Sequence, residues 1–102
     1  MTLTGKQKRY LRGLGNKLTP TAIIGKGGLS ESAVTNLAIL LDRHELIKVR
    51  LDQSQQGAAR RLAADQMAEA TSAACVAVVG RSVLLYRANE HLPGDQRIRL
   101  DT

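Results

Sequence analysis

The sequence is poor in aromatic residues. Its 102 residues include two tyrosines, Tyr10 and Tyr86, but neither phenylalanine nor tryptophan. The core must therefore be built from leucine, isoleucine, valine and alanine. The shortage also argues against RRM and OB modules, which stack several bases on exposed aromatic side chains.

Cysteine is equally scarce, and this excludes further kinds of chemistry. The single cysteine, Cys75, cannot form a disulfide within the chain, and no group of Cys and His residues has the spacing of a metal site. Cys75 lies in the apolar stretch SAACVAVV, where we interpret it as a small core residue. Neither a metal nor another cofactor is expected.

Long apolar runs are also missing. No stretch approaches the length of a membrane span, and the N-terminal residues MTLTGKQKRYLRGLG lack the uninterrupted apolar core of a signal peptide. We therefore expect a cytoplasmic protein with no membrane partner, and we take a monomer as its expected state.

Acidic residues are outnumbered by basic ones. The chain has 15 Lys and Arg residues against 9 Asp and Glu, which gives a formal net charge of +6 and a sequence pI of about 10.1. An excess of this size on one small domain predicts a polyanionic partner.

Periodicity and turn signals predict three helices alternating with strands, followed by a hairpin. The helices are expected at about residues 4–15, 30–43 and 56–72, and the strands at TAII, ELIKVRL, CVAVVG and SVLLYR, the last two meeting at Gly80-Arg81. This α-β-α-β-α-β-β order predicts an α/β fold, namely a single-domain two-layer sandwich with a mixed four-stranded sheet.

The first helix has the clearest amphipathic pattern. Thr4 and Gln7 form a capping-box pair at its start. Leucines and Tyr10 share one side of the helix, which predicts that Tyr10 is a core residue. The opposite side carries four cations and no carboxylate: Lys6, Lys8, Arg9 and Arg12. Because a solvated face normally mixes both signs of charge, we interpret this face as a polyanion contact.

The remaining elements yield more specific expectations. TAII is expected to be a buried strand, whereas ELIKVRL alternates, with Lys48 and Arg50 on its open side. These two cations either extend the positive surface or discourage pairing at the sheet edge. The alanine-rich third helix is predicted to turn Ala59, Leu62, Ala63 and Ala70 inward. The polar tail from residue 89, in which PGDQ marks a turn, is expected to be poorly ordered.

The stretch AIIGKGGLSES leads from a strand through glycines into a helix capped by Ser30. Such a junction binds a nucleotide phosphate, binds a nucleic-acid phosphate, or is only a tight turn. A Walker loop requires GxxxxGK[ST], but Lys26 precedes Gly27, and Ser30 breaks the dinucleotide pattern GxGxxG. The remaining pattern, GxxG, is the one with which KH domains clamp a nucleic-acid backbone, although four residues alone are weak evidence.

Taken together, three stretches of the chain resemble the YhbY-like CRM family (chloroplast RNA splicing and ribosome maturation). They are LTGKQKRYLRGLGNKLTPTAIIGKGGLSE, RHELIKVRL and VVGRSVLLYR, which with the helix between them cover roughly residues 3 to 88. The resemblance implies a stand-alone bacterial CRM protein, similar in fold to the C-terminal domain of translation initiation factor three. It divides the chain into a CRM RNA-binding domain, residues 1–90, and a polar C-terminal tail, residues 91–102.

The resemblance also implies a function in RNA binding and in assembly of the large ribosomal subunit. The family's GxxG loop corresponds to Gly25, Lys26, Gly27 and Gly28. With the basic surface of Lys6, Lys8, Arg9, Arg12, Lys48 and Arg50, it forms the predicted RNA site. Ribosomal RNA in the precursor of the large subunit is the expected partner, and no small-molecule substrate is expected.

Catalytic residues are not evident in the sequence. His44 and Glu45 lack the second histidine of a zinc-protease helix, and we interpret His44 as the residue that closes the second helix. An enzyme is therefore not expected. The alternative is an adaptor that docks on a ribosomal protein or an acidic factor, for which Ile39, off the apolar side of the second helix, would supply an exposed contact.

Overall fold

The first helix begins at the predicted capping box. In the computed structural model, which describes residues 2–100, the Thr4 hydroxyl accepts a hydrogen bond from the Gln7 backbone amide at 3.1 Å. The Gln7 side chain in turn accepts one from the Thr4 amide at 3.0 Å. These contacts satisfy amides that the first turn of a helix leaves without partners.

The other elements follow in the predicted order. Over residues 2–100 they are α1 (Gly5–Gly15), β1 (Ala22–Ile24), α2 (Glu31–His44), β2 (Leu46–Leu51), α3 (Ala58–Thr71), β3 (Ala74–Val79), β4 (Ser82–Tyr86) and a 3-10 turn (Gly94–Gln96). His44 is the last residue of α2, as expected. No helix in this part of the chain is long and apolar enough to cross a membrane.

The strands form one mixed sheet in the order β1-β2-β4-β3. β1 runs parallel to β2, whereas β4 is antiparallel to β2 on one side and to β3 on the other. The described residues therefore confirm the predicted α/β domain with three helices and a mixed four-stranded sheet. β1 is an edge strand, and the loop that follows it leaves the sheet at a corner.

Helices cover both faces of the sheet, so the layering differs from the two-layer sandwich that the element order predicts. α2 and α3 pack on one face, against a core that includes Leu37, Ile47 and Met67. α1 packs on the other face, where Leu11 lies in a second cluster with Tyr86. The side of β2 predicted to be open is thus partly covered by α1.

The buried face of α3 differs from the prediction. The side chains that pack inward are Ala64, Met67, Ala68 and Thr71. Of the four predicted positions, Ala63 is half-buried, whereas Ala59, Leu62 and Ala70 are exposed. The prediction placed Leu62, the one leucine of this helix, in the core, but Met67 packs there instead. In an alanine-rich helix the periodicity alone distinguishes poorly between neighbouring faces.

Two residues predicted to be buried, Tyr10 and Ile23, are exposed. Leu11 and Gly15 face the sheet, so Tyr10 lies on the flank of α1, about 100° around the helix from Leu11, and is 50% exposed. Ile23 is 72% exposed because it lies on the edge strand β1, on the sheet face that α2 and α3 do not cover.

The C-terminal segment, residues 88–100, packs against the domain instead of forming the poorly ordered tail predicted for it. Ile98 and Leu100 join the apolar cluster on the α1 side of the sheet. The 3-10 turn, Gly94–Gln96, forms at the predicted PGDQ turn. Alternation of arginine with an apolar residue over RIRL was the sequence signal for this packing.

Candidate nucleic-acid interface

The glycine-rich loop is an open turn at the surface. Its ends are joined by a hydrogen bond from the Gly28 amide to the Gly25 carbonyl at 3.0 Å. Gly28 has a φ of +80°, which favours glycine. A Cβ built on Gly25, Gly27 or Gly28 would have no heavy atom of the described residues within 4 Å. A bulky phosphate can therefore approach the main chain, beside the exposed ammonium of Lys26.

The helix terminus behind the loop already has its cap. The Ser30 hydroxyl accepts a hydrogen bond from the Ala33 amide at 3.1 Å and lies 3.2 Å from the Ser32 hydroxyl. Glu31 adds a negative charge in the first turn of α2, which offsets part of the helix dipole. An anion at this loop would therefore depend on the turn amides and Lys26 more than on the end of α2.

Three chain connections meet at the same end of the sheet. The Asp52 amide, in the loop between β2 and α3, donates to the Ile24 carbonyl at 3.0 Å. The Leu51 amide donates to the Arg81 carbonyl in the β3–β4 turn at 2.7 Å. The glycine turn thus neighbours the polar loop of residues 52–57 and, beyond it, the turn that contains Arg81.

Arg81 is a cation that the sequence reasoning missed. Gly80-Arg81 was used only as a turn signal, although the β-hairpin returns this turn to the end of β2. Nearby, hydrogen bonds from Ser54 hold the pKa of Asp52 below its ordinary value, and Arg81 lowers it further. The Asp52 carboxylate is therefore charged at neutral pH and offsets part of the positive charge here.

Lys48 has a structural contact of its own. Its Nζ donates to the carbonyl oxygens of Gly15, at 3.4 Å, and of Leu18, at 3.3 Å. A cation at these carbonyls complements the negative end of α1. Lys48 is half-buried, so its ammonium group binds these carbonyls and is also partly accessible to a ligand at the surface.

Arg50 lies closer to the glycine turn. It is exposed and pairs in register with Ile23, two residues before Gly25. Side chains two apart on a strand point to the same face, so Arg50 and Lys48 both face the α1 side of the sheet. Exposed Ile23 gives this corner an apolar surface next to a cation.

The four cations of α1 are all exposed, but they do not form one line with the glycine turn. Lys8 lines a pocket with Ala74, at the start of β3, whereas Gly15 lines one with Val79, at the end of β3. α1 therefore carries Arg12 towards the sheet end that holds the glycine turn. Lys6, Lys8 and Arg9 lie towards the opposite end.

Other candidate side chains have internal partners. Arg87, which follows β4, donates to the Thr71 carbonyl at 2.6 Å, the Ala38 carbonyl at 3.0 Å and the Asp42 carboxylate at 2.7 Å. It therefore ties β4 to α2 and α3. Tyr86, the second tyrosine of the chain, is buried and is not accessible to a base.

The described residues offer little for covalent or metal chemistry. Burial raises the pKa of the Cys75 thiol, which disfavours the reactive thiolate. Among residues 2–100 no group of three or more His, Cys, Asp or Glu side chains could hold a metal ion. At the glycine turn itself, the groups that a ligand can reach are the exposed backbone and the Lys26 ammonium.

Comparison with known proteins yields matches along most of the chain. The model of the CRS1 / YhbY (CRM) domain matches residues 3–87. A Haemophilus influenzae protein named "RNA-binding protein" is 35% identical over 89 residues, which cover 87% of this chain and 89% of that protein. The Bacillus subtilis "Probable RNA-binding protein YqeI" is 33% identical over 88 residues, covering 86% and 91% of the two chains.

The fold has a counterpart among solved structures. The solution structure of the hypothetical protein SAV1595 from Staphylococcus aureus superimposes with a TM-score of 0.79 at 37% sequence identity. The match covers 88% of this chain and 93% of that one. The family match, over residues 3–87, includes the glycine turn and the whole sheet, and the structural match covers a similar share of the chain.

Proposed function

The chain belongs to the CRS1 / YhbY (CRM) domain family, and on that premise we propose that it binds RNA. The proposed centre is the loop-end surface, which we define as Gly25, Lys26, Gly27, Gly28, Arg50 and Arg81. One observation carries the proposal: the turn leaves its glycine backbone open to solvent with a lysine at its tip. RNA-binding names among the relatives support the same ligand class.

The glycine turn, Lys26 and Arg50 have distinct tasks in the proposal, and Arg81 adds positive charge at the same end of the sheet. Amides of the glycine turn donate to a phosphate oxygen, and the Lys26 ammonium pairs with its charge. Arg50 binds the adjoining phosphate beside Ile23. The rest of the polyanion is attracted by the solvent-facing part of Lys48 and by the exposed cations of α1, which are Lys6, Lys8, Arg9 and Arg12.

Replacing Lys26 with glutamate tests the centre of this surface. We expect Lys26→Glu to weaken binding to a structured RNA about tenfold, or about 1.4 kcal/mol, because the substitution places a carboxylate next to the negatively charged phosphate. Fluorescence anisotropy at fixed salt measures the change. Arg43→Glu at the end of α2 is the control, since it makes the same change in net charge on an exposed site away from the loop.

The thermal midpoint of each variant shows whether the fold is retained. The Lys26 side chain is exposed, so its replacement is expected to leave the melting temperature within a few degrees of the parent. An affinity that falls equally in both variants would indicate attraction by net charge alone. An affinity unchanged in Lys26→Glu would remove the glycine turn from the site.

The RNA we propose is ribosomal RNA in the precursor of the large subunit. The basis is the resemblance of the sequence to the YhbY-like CRM family, which implies a function in assembly of that subunit. A binding protein without catalytic activity, monomeric and located in the cytoplasm, fits this role. Crosslinking in cells, followed by sequencing of the attached RNA, tests the target. Recovery of mainly messenger or transfer RNA would contradict it.

An adaptor that docks on a ribosomal protein or an acidic factor is the second candidate. It is favoured by Ile39, which lies on α2 away from the buried Leu37 and Leu41 and is 45% exposed. Digestion of a ribosome pull-down with RNase separates the two functions. Association that survives digestion and is lost in Ile39→Ser supports the adaptor, whereas association lost on digestion supports RNA binding.

A further inference from the structure

A second surface of interest lies between α1 and the C-terminal segment. The two elements enclose a groove of about 880 Å³. One wall carries Lys6, Tyr10 and Leu14, which follow one another at four-residue spacing on α1. The opposite wall is formed by residues 94–95 and 97–100 of the C-terminal segment.

Tyr10 gives this groove an accessible aromatic ring. Of the two tyrosines in the sequence, Tyr86 is buried, whereas Tyr10 is half exposed. An exposed ring beside apolar Leu14, Ile98 and Leu100 provides a platform for a flat apolar ligand. Every nucleobase has such a face, and bases stack on aromatic side chains without regard to sequence.

The charged side chains of the groove suit the phosphate of a nucleotide. Lys6, Arg97 and Arg99 contribute cations, and Asp95 contributes a carboxylate. The Nε of Arg97 lies 3.8 Å from a carboxylate oxygen of Glu45, so Arg97 is partly engaged in holding the segment. Lys6 and Arg99 are exposed and available for a phosphate.

The wall formed by the C-terminal segment is held in place from within. The buried carboxylate of Glu45 accepts hydrogen bonds from the backbone amides of Asn89 and Ile98, both at 2.6 Å. Ile98 and Leu100 pack against the sheet. The groove is thus formed before any ligand arrives, which lowers the entropic cost of binding. Its outer wall lies beyond residues 3–87, which the family model covers.

We propose that this groove binds an unpaired nucleotide of RNA, with its base stacked on Tyr10 and an adjoining phosphate paired with Arg99 or Lys6. The proposal rests on the RNA-binding function proposed above and adds a second contact. A concave groove with an aromatic wall suits a single base better than the surface of a lipid bilayer, the other amphipathic anion.

The test uses a single-stranded oligonucleotide that contains 4-thiouridine, with the whole 102-residue chain. Irradiation followed by mass spectrometry is expected to place a crosslink within α1 or residues 94–100. Tyr10→Ala should weaken binding at least about fivefold, whereas Tyr10→Phe, which keeps the ring, should bind within about twofold of the parent. Arg99→Gln should lower the salt dependence of binding by about 0.7 in the log–log slope, and the control Arg43→Gln, away from the groove, should lower it less.

The outcomes separate this inference from the function on which it rests. If the protein binds no RNA, both the proposed function and the proposed groove contact are wrong. Binding that is lost in Lys26→Glu but unchanged in Tyr10→Ala leaves the function standing and overturns the groove. Equal weakening in Tyr10→Phe and Tyr10→Ala also overturns it, because stacking does not require the hydroxyl. Tyr10-dependent binding to phosphatidylglycerol vesicles, with unchanged RNA affinity, would assign the groove to lipid instead.

Discussion

At the scale of single residues, Glu45 organises the part of the molecule that the sequence describes least well. It follows α2 with a φ of +58° and a ψ of −44°, outside the left-handed helical region, and such a conformation costs an L-residue about 1–3 kcal/mol. A glycine there would lack the buried carboxylate, which accepts hydrogen bonds from the backbone amides of Asn89 and Ile98. The strained residue is therefore explained by the segment that its side chain holds.

Replacing Glu45 with glutamine tests this role. Glutamine keeps the size of the side chain but presents an NH₂ group to one of the two backbone donors. We expect Glu45→Gln to lower the free energy of unfolding by about 2 kcal/mol, as for other hydrogen bonds to a charged group. Urea denaturation measures the change.

The control is Glu69→Gln, at an exposed position of α3, which should change the unfolding free energy by less than about 0.5 kcal/mol. Hydrogen exchange gives a second measurement, because the amides of Asn89 and Ile98 should lose protection in Glu45→Gln. Unchanged protection at both amides would show that the carboxylate does not hold the segment.

At the scale of elements, α1 forms one wall of the groove and extends its C-terminal end towards the loop-end surface. Its inner side packs on the sheet through Leu11 and Gly15. Its outer side and flanks carry the cations and Tyr10. The close approach occurs at Gly15, where an added Cβ would lie 2.5 Å from Cδ1 of Leu84. Glycine at this position therefore sets how closely the helix lies on β4.

Two glycines of α1 offer a matched pair of substitutions. Gly15→Ala should destabilise the protein by about 1–3 kcal/mol, because the new methyl group displaces the buried side chain of Leu84. Gly13→Ala meets no heavy atom of the described residues within 4 Å. It should stabilise the helix by about 0.5–1 kcal/mol, because alanine has the higher helix propensity.

Thermal unfolding of both variants measures the contrast. A Gly15→Ala protein as stable as Gly13→Ala would show that Leu84 moves aside at no cost. In that case, close packing against Leu84 would not be what positions α1.

At the scale of the whole molecule, the positive charge is spread around the domain. The net charge of +6 includes cations that serve the fold, such as Arg87 and part of Lys48. Others lie at the loop-end surface and along α1. The radius of gyration, 12.9 Å, is the value expected for about 100 residues in one compact body. The two proposed surfaces therefore lie on one body, within reach of one folded RNA.

Salt dependence measures how much of the RNA affinity comes from phosphates. If about four phosphates are neutralised on single-stranded RNA, a plot of log K against log salt should have a slope near −3. Titrations from roughly 50 to roughly 300 mM KCl measure it. Lys26→Glu should make the slope shallower by about 0.7. A nearly flat plot for the parent protein would contradict a mechanism based on phosphate contacts.

Local sequence determined much of the framework. Thr4 and Gln7 marked the start of α1, Ser30 marked the start of α2, and the alternation around Val49 identified β2, because caps and periodicity depend on neighbours in the chain. The three motif stretches, taken together, identified the family. The glycine turn could be located in the same way, since its pattern lies within four consecutive residues.

Only the tertiary structure decided which side chains remained available at the surface. Arg87 and Tyr10 illustrate the point: the arginine is bound by carbonyls from two helices, and the tyrosine lies outside the core on the flank of α1. The approach of Arg81 to the loop end and the packing of the C-terminal segment likewise depend on residues far apart in the chain. Such contacts arise when the sheet and its two covered faces assemble. The RIRL alternation indicates that one side of the C-terminal segment is apolar, but no local pattern indicates which surface it packs against.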